Sequence, residues 1–133
     1  MFVTRNSSVM RNEINFSRNW NNKLTGQCFT TIRPKDESIY HVGDIFCIML
    51  NRAPIAYAEI NDIDSFLLHD ISESEARIDS AIGKQDYIQL FKNIYKNQNI
   101  DWNKRMVSKI TFTKVKTHAD KSKSQPYSEE IPA

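Results

Sequence analysis

The longest apolar run in the chain is Ile45-Phe46-Cys47-Ile48-Met49-Leu50, six residues long. It falls far short of the roughly 20 apolar residues a membrane-spanning helix needs. It has the length of a strand, and its continuous apolarity predicts a central strand buried on both faces. Asn51-Arg52-Ala53-Pro54 follows, a turn punctuated by Asn51 and Pro54, and Ile55 to Ile60 reads as the next strand. The two runs predict a β-hairpin at the middle of a sheet. With 133 residues, 40% apolar and 26% charged, the chain is long enough for one soluble domain with a real core.

The flanks supply the rest of the architecture. Glu13 to Phe16 reads as a short first strand. Ser17 is a fitting N-cap for a helix from Arg18 to Leu24, with Trp20 and Leu24 four residues apart on its inner face, and Gly26 placed to end it. Lys35 to Val42 is a loop, Val42-Gly43-Asp44 a turn, and Ile63 to Leu68 a further strand after a bend. Ser72-Glu73-Ser74-Glu75 has the spacing of a capping box, with Ile71 placed to staple against Ala76. Ile78 and Ile82 extend the apolar stripe of that helix and Gly83 stops it. Asp86 then caps a second helix, whose Tyr87, Leu90, Phe91, Ile94 and Tyr95 repeat at helical spacing. Met106 to Val115 alternates as a last strand. The expected fold is therefore α+β, a small and mostly antiparallel β-barrel with an N-terminal helix and a helix pair before the last strand. Residues 1–12 are expected to be a flexible N-terminus, 13–116 the domain, and 117–133 a disordered tail too polar to bury a core.

Gly26-Gln27-Cys28-Phe29-Thr30-Thr31-Ile32-Arg33 is the stretch richest in chemistry. Its β-branched residues predict a strand, and Pro34 ends it. Alternation puts Phe29, Thr31 and Arg33 on one face and Cys28, Thr30 and Ile32 on the other. From residue 19 to Lys35 every charge is positive: Lys23, Arg33 and Lys35. Arg33 offers a fork of donors suited to a phosphate or a base edge, and Thr31 a hydroxyl beside it. Tyr40 and Trp102 are candidate stacking platforms for an unpaired base, while the spacing of Trp20 to Leu24 assigns Trp20 to the core.

Other functional classes have little support. Two cysteines, Cys28 and Cys47, and three scattered histidines form no metal-ligand pattern, so neither a metal nor a cofactor is expected. Cys28 with His41 as its base has no spacing to support it. The N-terminus has no continuous apolar segment of the secretory kind, so a cytoplasmic address follows by default. The net charge is only +2, but its distribution is uneven. Tyr57 to Ser80 holds seven acidic residues and one basic residue (Arg77), whereas Lys84 to Lys116 holds eight basic and two acidic. Such polarity fits a binder of polyanions.

The spacing Gly26-x-Cys28-x-x-Thr31-x-Arg33 resembles the signature of the ASCH domain, a PUA-like β-barrel, which runs glycine, x, lysine, x, x, glutamate, x, arginine. The preceding Trp20 and Leu24, the Tyr40-x-x-Gly43-Asp44 segment before an apolar strand, and the helix pair before the last strand resemble it as well. The resemblance implies binding of RNA or other nucleic acid in a cleft beside the motif. Some short bacterial members resemble amidohydrolases of N4-acetylcytidine, with a threonine at the position of Thr31 as nucleophile, a lysine at that of Cys28 and a later glutamate. Others are described as ribonucleases. Thr31 matches the amidohydrolase form, Cys28 replaces the lysine, and Glu73, Glu75 and Asp79 compete for the acidic position.

These readings converge on an RNA- or nucleotide-binding domain with Lys23, Thr31, Arg33, Lys35 and Tyr40 as ligand-binding residues. Two alternatives stand beside it. One is a small amidohydrolase or ribonuclease with Thr31 as the reacting group, and the other is a protein-interaction module on the same fold.

Overall fold

Among the described residues five strands form one sheet: β1 (Glu13–Phe16), β2 (Cys28–Pro34), β3 (Ile45–Leu50), β4 (Ala53–Leu67) and β5 (Met106–Val115). The computed structural model describes residues 12–116. The expected flexible N-terminus up to residue 11 and the 117–133 tail lie outside the described residues. The strand order is β1-β3-β4-β5-β2. All neighbours are antiparallel except β1 and β3, which run parallel with Glu13 opposite Cys47. The sheet curls into a half-barrel, in keeping with the expected α+β class. Among the described residues β1 and β2 are its two edges, and they face each other across an open seam.

The hairpin at the centre is closed by Asn51 and Arg52, both in the left-handed region (φ 51° and 69°). That is the backbone a two-residue hairpin turn requires, because it matches the twist of the strands it joins. β1 holds this turn: Phe16 carbonyl accepts from Asn51 N–H at 2.8 Å, and Asn15 Oδ1 accepts from Arg52 N–H at 2.8 Å. β4 is one strand of 15 residues rather than two. The pairing with β5 slips between Ile60 and Asp62, leaving Asn61 as an extra residue. A bulge of this kind bends a strand without ending it, and it lets Ile60 and Ile63 both pack against one core. β3 is not buried on both faces as expected. Phe46 and Ile48 are buried, but Ile45, Cys47 and Met49 on the other face are half-buried, because the helical layer packs over Ile32 and Val107 and not over β3.

Two cores follow from the alternation. Inside the curl, Phe16, Phe29, Phe46 and Phe112 pack with Ile48, Ile60 and Ile110. On the outer face, Ile32 and Val107 meet Leu68, Ile71, Ala76 and Phe91 from the helical layer. That layer is α1 (Glu73–Ser80) and α2 (Lys84–Ile94). α1 begins with the expected capping box: Ser72 Oγ accepts from Glu75 N–H, and Glu75 Oε1 accepts from Ser72 N–H, both at 3.0 Å. Lys109 Nζ donates to the other Glu75 oxygen at 3.1 Å and ties the helix to β5. Ser72→Ala is expected to lower stability by about 1 kcal/mol, checked by urea unfolding at neutral pH. The Ser72 N–H and Lys109 hold the Glu75 carboxyl below its ordinary range. Its contribution is therefore complete above about pH 5 and fades as acid protonates it through its lowered folded value.

Helix ends differ from expectation in instructive ways. α1 stops at Ser80 with Ala81 left-handed (φ 69°), and Gly83 caps the start of α2 instead of ending α1. Asp86 consequently sits in the first turn of α2, not at its cap. Ile78 is 60% exposed and Ile94 56%, so neither continues a buried stripe. The N-terminal helix is only a 3-10 segment, Trp20–Thr25, kinked where Asn21 and Asn22 both take positive φ (54° and 56°). Asn19, not Ser17, precedes it, and its side chain accepts from Leu24 N–H at 2.8 Å.

Candidate functional site

The seam between β1 and β2 is bridged by side chains where backbone pairing is missing. Phe16 meets Phe29 edge-on at 6.1 Å. Arg33, on the same face of β2, lays its guanidinium over the Phe16 ring at 4.7 Å and donates from Nη2 to the Asn15 carbonyl at 3.2 Å. Its Nε donates to Thr31 Oγ1 at 3.1 Å. The alternation expected for this strand therefore places Thr31 and Arg33 together, and it gives the Thr31 oxygen one donated hydrogen, with no acceptor for its own hydrogen among the described residues.

The 3-10 segment closes the seam from above. Asn21 Nδ2 donates to the carbonyls of Arg77 and Ile78 at the end of α1, and the kink at Asn21 and Asn22 turns the chain so that Lys23 points inward. Lys23 Nζ reaches Asp79 Oδ1 at 2.5 Å, and the two side chains are only 9% and 12% exposed. The other Asp79 oxygen accepts from the Tyr87 hydroxyl at 2.7 Å. Both carboxylate oxygens are thus satisfied within the protein, which an acid 8% exposed requires.

These groups enclose a cavity of about 200 Å³. Thr31, Arg33, Lys23, Asp79 and Ser80 are among the polar residues that line it, and Phe16, Trp20, Tyr87, Phe91 and Tyr95 are its aromatic walls. Thr31, Asp79, Ser80, Tyr87 and Phe91 are buried, whereas Trp20 is partly exposed and Ser17 and Ile94 are open to solvent. Burial pushes the Lys23 ammonium below its ordinary value, and Asp79 pulls it part of the way back. Burial also raises the phenols of Tyr87 and Tyr95, while Arg33 opposes the rise at both. Asp79 answers the charge of Lys23, so among the described residues that line the cavity Arg33 is the cation left to face a ligand.

The cavity brings together Lys23, Thr31 and Arg33 and leaves out Lys35 and Tyr40. Lys35 pairs with Glu37 at 3.5 Å, and its carbonyl accepts from Arg105 in a separate open depression. Tyr40 stacks on Phe46 at 5.9 Å against the inner core. Trp102 meets Phe91 edge-on at 5.3 Å and is packing, not a platform. Trp20, assigned above to the core, lines the cavity instead. Of the three competing acids, Glu73 pairs with Arg77 and Glu75 with Ser72 and Lys109, and Asp79 alone of the three lines the cavity. Cys28 lies against Thr113 and His41 against Asp44, so they form no dyad. Among the described residues no three histidines, cysteines or acids cluster as metal ligands would, and no helix is long and apolar enough to cross a membrane.

Sequence reasoning missed Ser80, Tyr87 and Tyr95 as cavity residues. The two tyrosines belong to an apolar stripe at helical spacing, and the only available signal was that a stripe meant purely for packing carries two hydroxyls.

No family model and no curated protein matches the chain. Solved structures do match in fold. The hypothetical protein PH0355 superposes with a TM-score of 0.58 at 13% identity, over 80% of this chain and 100% of that one. Protein EF3133 from Enterococcus faecalis V583, of the DUF984 family, gives 0.58 at 14% identity over 82% of each chain. An ASCH domain from Lactobacillus crispatus JV V101 gives 0.57 at 14% identity, over 77% of this chain and 78% of that one. The ASCH resemblance is therefore borne out in the fold.

Proposed function

We propose that the chain binds a nucleotide, or one unstacked base of an RNA, in the seam cavity. The observation that carries this reading is the cavity itself. Donors from Thr31, Arg33 and Lys23 converge among five aromatic walls in a space of about 200 Å³. That volume is below the roughly 300–1,000 Å³ that takes drug-sized ligands, so it suits one planar ring with polar edges. Stacking on aromatic faces and hydrogen bonds to a splayed base are how single-stranded RNA is recognised, and the ASCH-like fold agrees. Arg33 also braces the seam, so its loss removes both a donor and the shape of the wall. Arg33→Ala is expected to weaken binding of cytidine monophosphate or a short single-stranded RNA tenfold or more, read by fluorescence anisotropy. It should also lower the salt slope by about one. Binding that is unchanged in the variant, or indifferent to salt in the wild type, would refute the reading.

A second reading has its own support, because a threonine, a lysine and an acid line the same cavity. Lys23, from the 3-10 segment, supplies the amine that Cys28 does not. In an amidohydrolase of N4-acylated cytidine, Thr31 Oγ1 attacks the acyl carbonyl carbon and its proton passes to an unprotonated Lys23. Burial raises the fraction of that form. The proton then moves to the departing amine as the C–N bond breaks, and water releases the acyl group from Thr31. Cytidine release from N4-acetylcytidine, abolished in Thr31→Val, is the expected result, followed by chromatography. Binding without turnover across acylated cytidines and short RNAs would leave the chain a binder.

A further inference from the structure

Trp20 is the side chain the fold does not account for. It belongs to neither hydrophobic core, although Trp102 does. It lines the cavity, is partly exposed, and carries the Arg18 guanidinium over its ring at 4.9 Å. The backbone that presents it is an unfavourable one, since Asn21 and Asn22 follow in consecutive left-handed conformations. Single residues visit that region at some cost even when they are asparagine. Asn21 anchors the kink to the carbonyls of Arg77 and Ile78. A large aromatic ring thus stands at the solvent side of a cavity whose buried end holds Thr31 and Asp79. The cation beside it is exposed and makes no ion pair among the described residues.

We infer that Trp20 and Arg18 form a second subsite at the mouth of the cavity. There Trp20 stacks the base next to the one held inside and Arg18 meets the phosphate between them. The preferred ligand is then a single-stranded oligonucleotide and not a free nucleoside. This deepens the nucleotide-binding reading and rests on it. The cavity is too small for two bases, so a neighbouring base must lie outside it, and an aromatic face with an adjacent guanidinium is the surface that takes a base and its phosphate.

The experiment compares cytidine monophosphate with the dinucleotides carrying one added cytidine on the 5′ or the 3′ side. Full-length wild type, Trp20→Ala, Trp20→Phe and Arg18→Ala are titrated by calorimetry. One of the dinucleotides should bind the wild type about tenfold or more tighter than the mononucleotide, an advantage in the range of one stacked base. Trp20→Ala should erase that advantage, so that the variant binds neither dinucleotide tighter than the mononucleotide, and Trp20→Phe should keep most of it. Arg18→Ala should reduce the advantage and its salt dependence. Equal affinity for mononucleotide and both dinucleotides, or an advantage that survives Trp20→Ala, overturns the subsite while leaving the cavity reading intact. Absence of any Arg33-dependent mononucleotide or dinucleotide binding overturns the cavity reading and the subsite with it.

Discussion

Phe112→Ala is expected to cost about 3–5 kcal/mol, a large share of the roughly 5–15 kcal/mol that holds a domain together. Phe112 is fully buried on β5, stacked on Phe29 at 5.4 Å and edge-on to Phe46 at 5.8 Å. Phe29 in turn meets Phe16. The ring therefore links β3, β5 and β2 to β1 through the middle of the half-barrel, where an open seam gives the strands no backbone partner. Neighbours fixed in a curled sheet relax poorly into the space left behind, which places the cost toward the upper part of the range. Chemical denaturation should show the loss with an unchanged slope, and the melting temperature should drop by on the order of 10–30 °C. Ile78→Ala, at a position 60% exposed, should stay within about 0.5 kcal/mol of wild type. A Phe112→Ala deficit below about 1.5 kcal/mol would mean that this aromatic cluster does not hold the seam together.

What the sequence disclosed follows from the range of the interactions involved. β5 is legible to the residue, Met106 to Val115, because strand alternation is local. The capping box of α1 is legible because its four residues satisfy one another. The kink at Asn21 and Asn22 is not. A helix-like spacing of Trp20 and Leu24 yields to a backbone that pays off only when Asn21 reaches Arg77 and Ile78, some 56 residues away in sequence.

The candidate site divides in the same way. Thr31 and Arg33 sit two apart on one strand, so alternation alone brings them together. Lys35, two residues further on, continues the same parity, but Pro34 is the last residue of β2 and the face is lost with it. Lys23 and Asp79 meet across 56 positions, and no local pattern selects Asp79 over Glu73 or Glu75. Their distinction lies in what else is satisfied nearby: Ser72 and Lys109 take Glu75, Arg77 takes Glu73, and the seam takes Asp79.

Removing that acid is expected to have an effect as large as removing the ring. Asp79→Ala leaves the Lys23 ammonium buried without its partner and the Tyr87 hydroxyl without its acceptor. Breaking one side of a buried ion pair costs about 3–5 kcal/mol. A double variant with both charges replaced by apolar side chains, Lys23→Met with Asp79→Leu, should recover most of it. The deficit should also depend on pH in a defined direction. Folding disfavours protonated Lys23, because burial outweighs the pull of Asp79 and Arg33 adds repulsion. The penalty is complete below the folded pKa of Lys23 and is relieved as pH climbs toward the ordinary lysine value near 10.4, where the unfolded chain also loses the proton. Without Asp79 the folded pKa falls further, so relief starts at lower pH. The deficit of Asp79→Ala relative to wild type should accordingly be larger at pH 6 than at pH 9, leaving at high pH mainly the unmatched Tyr87 hydroxyl, about 1–3 kcal/mol. Urea titrations of the three proteins at the two pH values decide the matter. A deficit that does not change with pH, or a double variant no more stable than the single, would show that Lys23 does not carry a buried charge in the folded protein. It would then be free as an amine for the base that the hydrolytic reading requires.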